Sequence, residues 1–283
     1  MSTRTAPNSV VGAGSGSGAK RTKTWSPRTE STLRIVAPIS FGLIVLGVWQ
    51  FLVSVVGVDE YLLPSPASII EELVQFWSSV VSATILTGTN SLLGLLVGSL
   101  IGIAFAALAA RWRIADQMSA PIVAALAVVP IVALAPVLNS MFGADSQFGR
   151  QAIAAIASFV PIFINTLRGF RQTKPVHRDL MKAYAANSGQ MLRRLTLPTA
   201  RPFILTGIRI ASSLAVISAL VAEYFGGPRG GLGSLIATSA ASSAYARAWA
   251  YVVASIALGL LFYLATLALE RLVLRRVPTG GSR

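Results

Sequence analysis

The sequence predicts an all-α, polytopic membrane protein with about six transmembrane helices, and three observations carry that reading. Several apolar runs reach the ~20 residues a helix needs to cross about 30 Å of hydrocarbon. Only 12% of the 283 residues are charged, roughly half the share usual in soluble domains. The apolar residues come in long runs rather than in ten-residue alternation. Because backbone groups in lipid must be satisfied internally, such runs select helices over a barrel.

Residues 1–32 are basic and rich in Ser, Thr, Gly and Pro. They cannot bury enough apolar surface to offset their ordering entropy, so a disordered tail is expected. Gly12, Gly14, Gly16 and Gly18 alternate, but no strand pattern precedes them and no helix pattern follows, which favours a flexible tail over a phosphate-binding loop. The lack of an apolar stretch in the first 30 residues argues against a cleaved signal peptide.

A transmembrane domain is expected over 33–276. Its first span covers about 34–57, with Trp49 near the far interface, and Asp59, Glu60, Pro64 and Pro66 end it. Residues 67–79 read as a short helix with Ile69, Ile70, Leu73, Val74 and Trp77 on one face, lying along the membrane surface. The second span, about 83–110, places Gly94, Gly98 and Gly102 at i, i+4, i+8, where another helix backbone can approach closely. Asn90 stands at membrane depth in it, either as an interhelical hydrogen-bonding group or as part of a path.

The third span, about 117–141, contains Pro121, Pro130 and Pro136 and ends near Asn139. Internal prolines remove helical hydrogen bonds, and broken membrane helices occur where protein or a water-filled cavity supports the freed groups. The third span is therefore either a packing kink or a segment lining a pathway. The fourth span, about 150–169, holds Pro161 and Asn165. The fifth, about 203–225, has Arg209 near one end and Glu223 near the other, the latter an outer-mouth charge or a path residue. A glycine-rich turn follows from Gly226, then a sixth span at about 247–270 and a short tail over 277–283. Asn90, Pro130, Pro136, Asn139, Asn165 and Glu223 are the candidates for a translocation path.

Six spans put both termini on one side. That side collects Lys20, Arg21, Lys23, Arg28, Arg111, Arg113, Arg271 and Arg275, together with the cations of the loop at 170–202. The other side has Arg150, Arg229 and Arg247 against Asp59, Glu60, Glu71, Glu72, Asp145 and Glu223. The positive-inside rule then places both termini and the loop in the cytoplasm of a cell carrying this chain in its inner or plasma membrane. The net charge of +14 is thus topological, and nucleic acid is not an expected partner. With no cysteine, a single histidine (His177), no phosphate-binding Gly-Lys motif and no paired carboxylates, no catalytic residue, metal or cofactor is expected.

The loop from Pro175 to Pro202 stands apart. Leu180, Ala183 and Tyr184 fall at helical spacing, Gly189 offers a place to turn, and Met191, Leu192 and Leu195 begin a second apolar stripe before Pro198 and Pro202. This helix–turn–helix is either a solvated loop carrying topological charge or a surface built to touch a partner.

The loop resembles that of permease subunits of binding-protein-dependent ABC importers, whose signature is Glu-Ala-Ala, three residues, Gly, nine to ten residues, and a hydrophobic-x-Leu-Pro ending. Leu195-Thr196-Leu197-Pro198 matches the ending, and counting back sets Asp179-Leu180-Met181 at Glu-Ala-Ala and Ala185 at the Gly. The acid is shortened, both alanines are enlarged and the glycine is lost. The likeness continues upstream through Val129–Pro136 and Asn165–Gly169, and downstream through Pro202–Ala211, Ala222–Gly227 and Gly231–Ile236. It covers roughly residues 35–275.

The resemblance implies a type I ABC importer permease fold with a cytoplasmic coupling helix. Asp179, Leu180, Ala183, Tyr184, Ala185 and Ala186 would meet a separate ATPase subunit, and Leu195, Leu197 and Pro198 would set the helix angle. A second permease copy or a paralogue would complete the pore, and an extracytoplasmic binding protein would deliver the solute. The chain looks closest to permeases for nitrate, sulfonate or taurine and for pyrimidine-type thiamine precursors, with Asp179-Leu180-Met181 and Ala222–Gly227 inclining toward the last. A stand-alone secondary transporter or channel would want ionisable groups at span centres, which are nearly absent here, and a membrane-embedded enzyme has little to work with in one loop histidine.

Overall fold

The structure, a computed structural model, describes residues 27–143, 146–226 and 230–275. Most of the basic tail, Asp145, the 227–229 stretch of the glycine-rich turn, and the chain after Arg275 lie outside these residues. The described residues divide into two compact units, one ending at Val48 and one beginning at Trp49. The first contributes most of helix α1 (Pro27–Ser54), which carries Pro38. Residues 27–32, assigned to the tail by composition, are thus the start of this helix.

The second unit contains α2 (Pro66–Gln75), α3 (Trp77–Arg111), α4 (Arg113–Val128), α5 (Ile131–Phe142) and α6 (Phe148–Arg171). It continues with α7 (Pro175–Ala183), α8 (Ser188–Met191), α9 (Leu197–Tyr224), α10 (Leu232–Ala241) and α11 (Tyr245–Arg275). All regular structure among the described residues is helical. Among the described residues, five helical runs are long and apolar enough to cross a membrane, and the bent pair α4–α5 makes a sixth candidate.

The centre of this unit is α6, packed between α3 and α9. The glycine stripe explains the first of these contacts. A Cβ at Gly98 would lie 2.8 Å from the Cβ of Ser158, and one at Gly94 would lie 2.9 Å from the carbonyl of Gln151. Only bare backbone admits α6 at this distance. On the other side, a Cβ at Gly169 would meet the Cβ of Phe203 at 2.8 Å, closing α6 onto α9. Helices α10 and α11 flank α9, α5 lies on α6 and α9, and α4 packs beside α3.

Two elements differ from the sequence expectation for local reasons. The helix expected over 67–79 stops at Gln75 and a new one starts at Trp77, so α3 begins six residues before the expected span. Ser65 caps α2 by accepting from the Ser68 amide at 3.0 Å. Its apolar face splits: Ile69 is buried, while Ile70, Val74 and Trp77 are exposed. Arg247 of α11 fastens α2 through Glu72 at 2.8 Å and sits 3.6 Å from the centre of the Phe76 ring. The third span is more than kinked. Its two helices meet at 90° across Val129 and Pro130, both extended, because the proline ring removes a donor and restricts the residue before it.

The fifth span starts earlier than expected. One π-helical turn, Leu192–Thr196, joins α8 to α9 and makes Ser188–Tyr224 a continuous 37-residue helical segment. Pro198 follows directly on this π-helical turn, inside the continuous run, where its missing N–H leaves one helical carbonyl without its usual donor. Arg209 does not reach for the surface alone: it pairs with Glu270 of α11 at 3.2 Å, tying two spans together.

Candidate functional site

Two regions at opposite ends of the helical core carry the polar and exposed chemistry, with the broken span between them.

The first is the loop between α6 and α9. Pro175 opens α7 at its first turn, and none of its side chains is buried. The helix ends in a Schellman motif: the Ala186 amide donates to Met181 O at 3.0 Å, and that of Ala185 to Lys182 O at 2.8 Å. Ala185 takes φ +54°, the left-handed conformation that favours glycine. The turn of this loop is therefore at Ala185, while Gly189, the expected turn, lies inside α8. Asn187 starts α8 with a capping box, its Oδ1 accepting from the Gln190 amide at 2.8 Å and its own amide donating to Gln190 Oε1 at 2.9 Å.

The residues singled out for contact with a partner split into two groups. Asp179, Leu180, Ala183, Tyr184 and Ala185 are exposed, with Asp179 paired to Lys182 at 3.4 Å on the surface. Val176, Leu180 and Tyr184 are 73, 54 and 78% exposed and stand at i, i+4, i+8, forming one apolar stripe. Ala186, Leu195, Leu197 and Pro198 are half-buried. Leu197 packs on the cluster of Ala106, Val123, Phe163, Phe170 and Ala200, so the far end of the loop is anchored in the helical core.

Along the broken span, Pro130 forms the corner and Pro136 lies within α5. Beside the corner is a cavity of about 220 Å³, bounded by Val129 and Leu134, by Ile153, Ala157 and Pro161 of α6, and by Ser218 of α9. Asn165 turns inward on its own helix and donates to the carbonyl of Pro161 at 2.8 Å. Asn139, at the far end of α5, donates to the carbonyl of Gly226.

The second region lies at the end away from the loop. Thr87 precedes Arg111 by 24 residues, roughly 36 Å along α3. Here Thr87, Asn90, Arg150 and Glu223 are all buried, Arg150 at 0% and Glu223 at 1% exposure. Thr87 Oγ1 donates to Glu223 Oε2 at 2.8 Å and accepts from the Leu232 amide at 2.9 Å. The Gly233 amide donates to the same carboxylate oxygen at 3.1 Å. Asn90 Nδ2 donates to Gln147 Oε1 at 2.8 Å, Gln151 Nε2 donates to Asn90 Oδ1 at 3.1 Å, and Arg150 donates to Gln147 Oε1. Arg150 and Glu223 interact electrostatically.

Of the path candidates, Asn90 and Glu223 meet in this cluster, Asn139 lies near its α9 side through Gly226, and Pro130, Pro136 and Asn165 lie elsewhere. Sequence reasoning placed Arg150 among the surface charges and passed over Thr87 and Gln151. The signal present was spacing: Gln147, Arg150 and Gln151 share a helical face, as do Thr87 and Asn90.

A core of apolar helices long enough to cross a membrane, with a projecting, unburied loop helix, is the architecture of a multi-pass membrane protein. Solved structures share the arrangement. An amino acid ABC transporter crystallised with histidines matches with a TM-score of 0.58 at 14% identity, over 72% of this chain and 97% of that one. The inward-facing methionine ABC transporter MetNI matches with a TM-score of 0.60 at 17% identity, over 70% and 98%. At the sequence level, residues 94–277 match the family described as the inner membrane component of binding-protein-dependent transport systems, and the chain belongs to that family.

Its relatives include the formylaminopyrimidine transport permease protein ThiX of Halalkalibacterium halodurans, 30% identical over 71% of this chain and 80% of that protein. The riboflavin transport system permease protein RibX of Chloroflexus aurantiacus is 34% identical over 75% and 80%. A putative aliphatic sulfonates transport permease protein of Bacillus subtilis, SsuC, is 26% identical over 66% and 68%. The chain is thus the non-catalytic, multi-pass permease of an ABC importer, a kind of subunit that implies ATPase and binding-protein partners.

Proposed function

We propose that α7 is the coupling helix of this permease and that its Val176–Leu180–Tyr184 stripe seats in a groove of the ATPase subunit. The observation that carries this reading is a nine-residue helix with no buried side chain, whose apolar stripe, running on to Tyr184, is left exposed by the described residues. Burying such a stripe is the usual way an amphipathic helix docks in a groove. Asp179, Ala183, Ala185 and Ala186 border that contact, and Leu195, Leu197 and Pro198 pass its movement to α9. The charge asymmetry supports a cytoplasmic position for the loop and for both termini. Two copies of this chain, or this chain and a paralogous permease, form the pore within the lipid bilayer.

The translocation path runs along the broken span, past Pro130, Pro136 and the cavity at its corner, with Asn165 toward the loop. Asn90, Asn139 and Glu223 stand at its extracytoplasmic end. The solute is small and polar. A pyrimidine-type thiamine precursor or related nitrogen heterocycle is favoured over a sulfonate- or nitrate-like anion. Two relatives at 30 and 34% identity carry heterocycles by name.

The test is a gentle detergent pull-down of the tagged chain with mass spectrometry, followed by uptake in proteoliposomes. Co-purification of an ATPase, lost in Ala185→Arg, and ATP-dependent uptake of the heterocycle are expected. A chain that purifies alone and transports without ATP would instead be a secondary transporter.

A further inference from the structure

We infer that Glu223 is a positioning residue of the transport cycle, latching α10 across the end of the helical core remote from the coupling loop. This rests on the importer reading proposed above. The starting point is a local deficit. Helix α10 begins at Leu232, and its N-cap residue, Gly231, has no side chain to cap it. The first amides of a helix have no partner within it, and its N-terminus favours negative charge. Here those amides are satisfied from other helices: Leu232 by Thr87 of α3, and Gly233 by the carboxylate of Glu223 on α9. Thr87 and Glu223 also bond each other at 2.8 Å, so one cap joins three helices.

Steric fit makes the same point independently. A Cβ at Gly231 would lie 2.6 Å from Glu223 Oε1, and a Cβ at Gly233 would lie 2.8 Å from Glu223 Cβ. Neither glycine has positive φ, so both are required by close approach rather than by backbone conformation. The start of α10 is seated on Glu223 and on the α9 backbone at Leu220.

The arrangement suits a releasable attachment more than permanent packing. Leu232 is already fully buried and would hold α10 by apolar contact alone. A buried charge adds little net stability and fixes one geometry among alternatives. Beside α10, between α9 and α11, lies an open apolar groove of about 540 Å³ lined by Leu220, Tyr224, Ile236 and Gly259. The two acceptors sit on different helices. Any cycle that shifts α9 against α3 separates Thr87 from Glu223, so α10 cannot keep both caps at once.

The chain has no cysteine, so a single Ser239→Cys on α10, at a buried position, reports on its release without further engineering. The full importer, with its ATPase and binding protein, is reconstituted in proteoliposomes and treated with a membrane-impermeant maleimide. With Glu223 intact, labelling is slow without nucleotide and faster when ATP and vanadate trap the cycle. In Glu223→Gln, and in Thr87→Val, resting labelling rises roughly tenfold, the scale of one lost charge-assisted hydrogen bond, and solute moved per ATP hydrolysed falls. Glu223→Asp, which keeps the charge, restores part of that ratio. Should Glu223→Gln fail to fold, Thr87→Val alone decides.

Unchanged resting labelling in a folded variant overturns the latch and leaves Glu223 a packing residue. Because the labelling is read without nucleotide, it is separable from failure of the importer reading, which would show as uptake indifferent to ATP.

Discussion

The loop helix α7 and the cluster around Glu223 lie at opposite ends of the same helical core and are built on opposite rules. In α7 nothing is buried, the closing turn uses an alanine where glycine is easier, and the apolar stripe points outward. Around Glu223, Thr87, Asn90 and Arg150 are sealed from solvent, Gly231 leaves room for the Glu223 carboxylate, and Gly233 lets α10 close on the α9 backbone. The exposed end leaves its apolar stripe uncovered by the described residues, whereas the buried end bonds chiefly within itself. Damage at the first should cost coupling without stability, and damage at the second should cost both.

The most severe way to break this contrast is to attack the spine that joins the two ends. Gly98→Leu forces a side chain into the Ala155 carbonyl and Ser158 of α6. We expect no folded, monodisperse protein on size exclusion, as for overpacking costs of ~3 kcal/mol or more. A well-folded variant would mean that α3 and α6 are not rigidly joined. Next, Leu180→Asp with Tyr184→Asp removes the outward stripe. Burying a leucine is worth about 1.5–3 kcal/mol, so ATPase affinity should fall roughly ten- to a hundredfold. The unfolding temperature of the isolated permease should not move, because neither side chain is packed in it.

At the other end, Gly233→Ala presses on Glu223 and the Leu220 carbonyl. It should lower thermal stability by about 1–3 kcal/mol and reduce uptake with it. A change in uptake with unaltered stability would show the two ends to be less different than their burial suggests. The smallest effect is a gain. Ala185→Gly relieves a left-handed alanine and should stabilise the closing turn of α7 by about 1 kcal/mol. Slower amide exchange at Ala185 and Ala186 checks it.

The two ends were also unequally legible in the sequence. The loop could be found because its pattern is local: Leu180, Ala183 and Tyr184 share a face within one helical turn, and Leu195–Pro198 follows at short range. Even so, Gly189 drew the turn away from Ala185, since glycine is the stronger signal for a bend and an alanine at φ +54° has none. The long apolar runs and the Gly94–Gly98–Gly102 stripe were readable for the same local reason. The break at Pro130 was visible as a kink, but its 90° angle depends on what α5 packs against.

The cluster was largely hidden because its partners are distant in the chain. Thr87 and Glu223 are 136 residues apart, and Thr87 and Leu232 are 145 apart. Arg150 follows a turn and reads as a surface charge until α3 and α9 close over it. The start of helix α10 fell within the glycine-rich turn expected up to Gly233, because glycines signal bends, whereas here Gly231 and Gly233 serve close approach; the rest of the helix carried no expectation.

The unbroken run of helix from Ser188 to Tyr224 has a mechanical consequence. Its 37 residues make a rod of about 55 Å, with the loop at one end and Glu223 one residue from the other. Pivoted at either end, a tilt of about 10° would sweep the opposite tip through roughly 10 Å, several times the length of a hydrogen bond. A small angular push at the loop is therefore geometrically sufficient to part Thr87 from Glu223, with no relay of side chains between them.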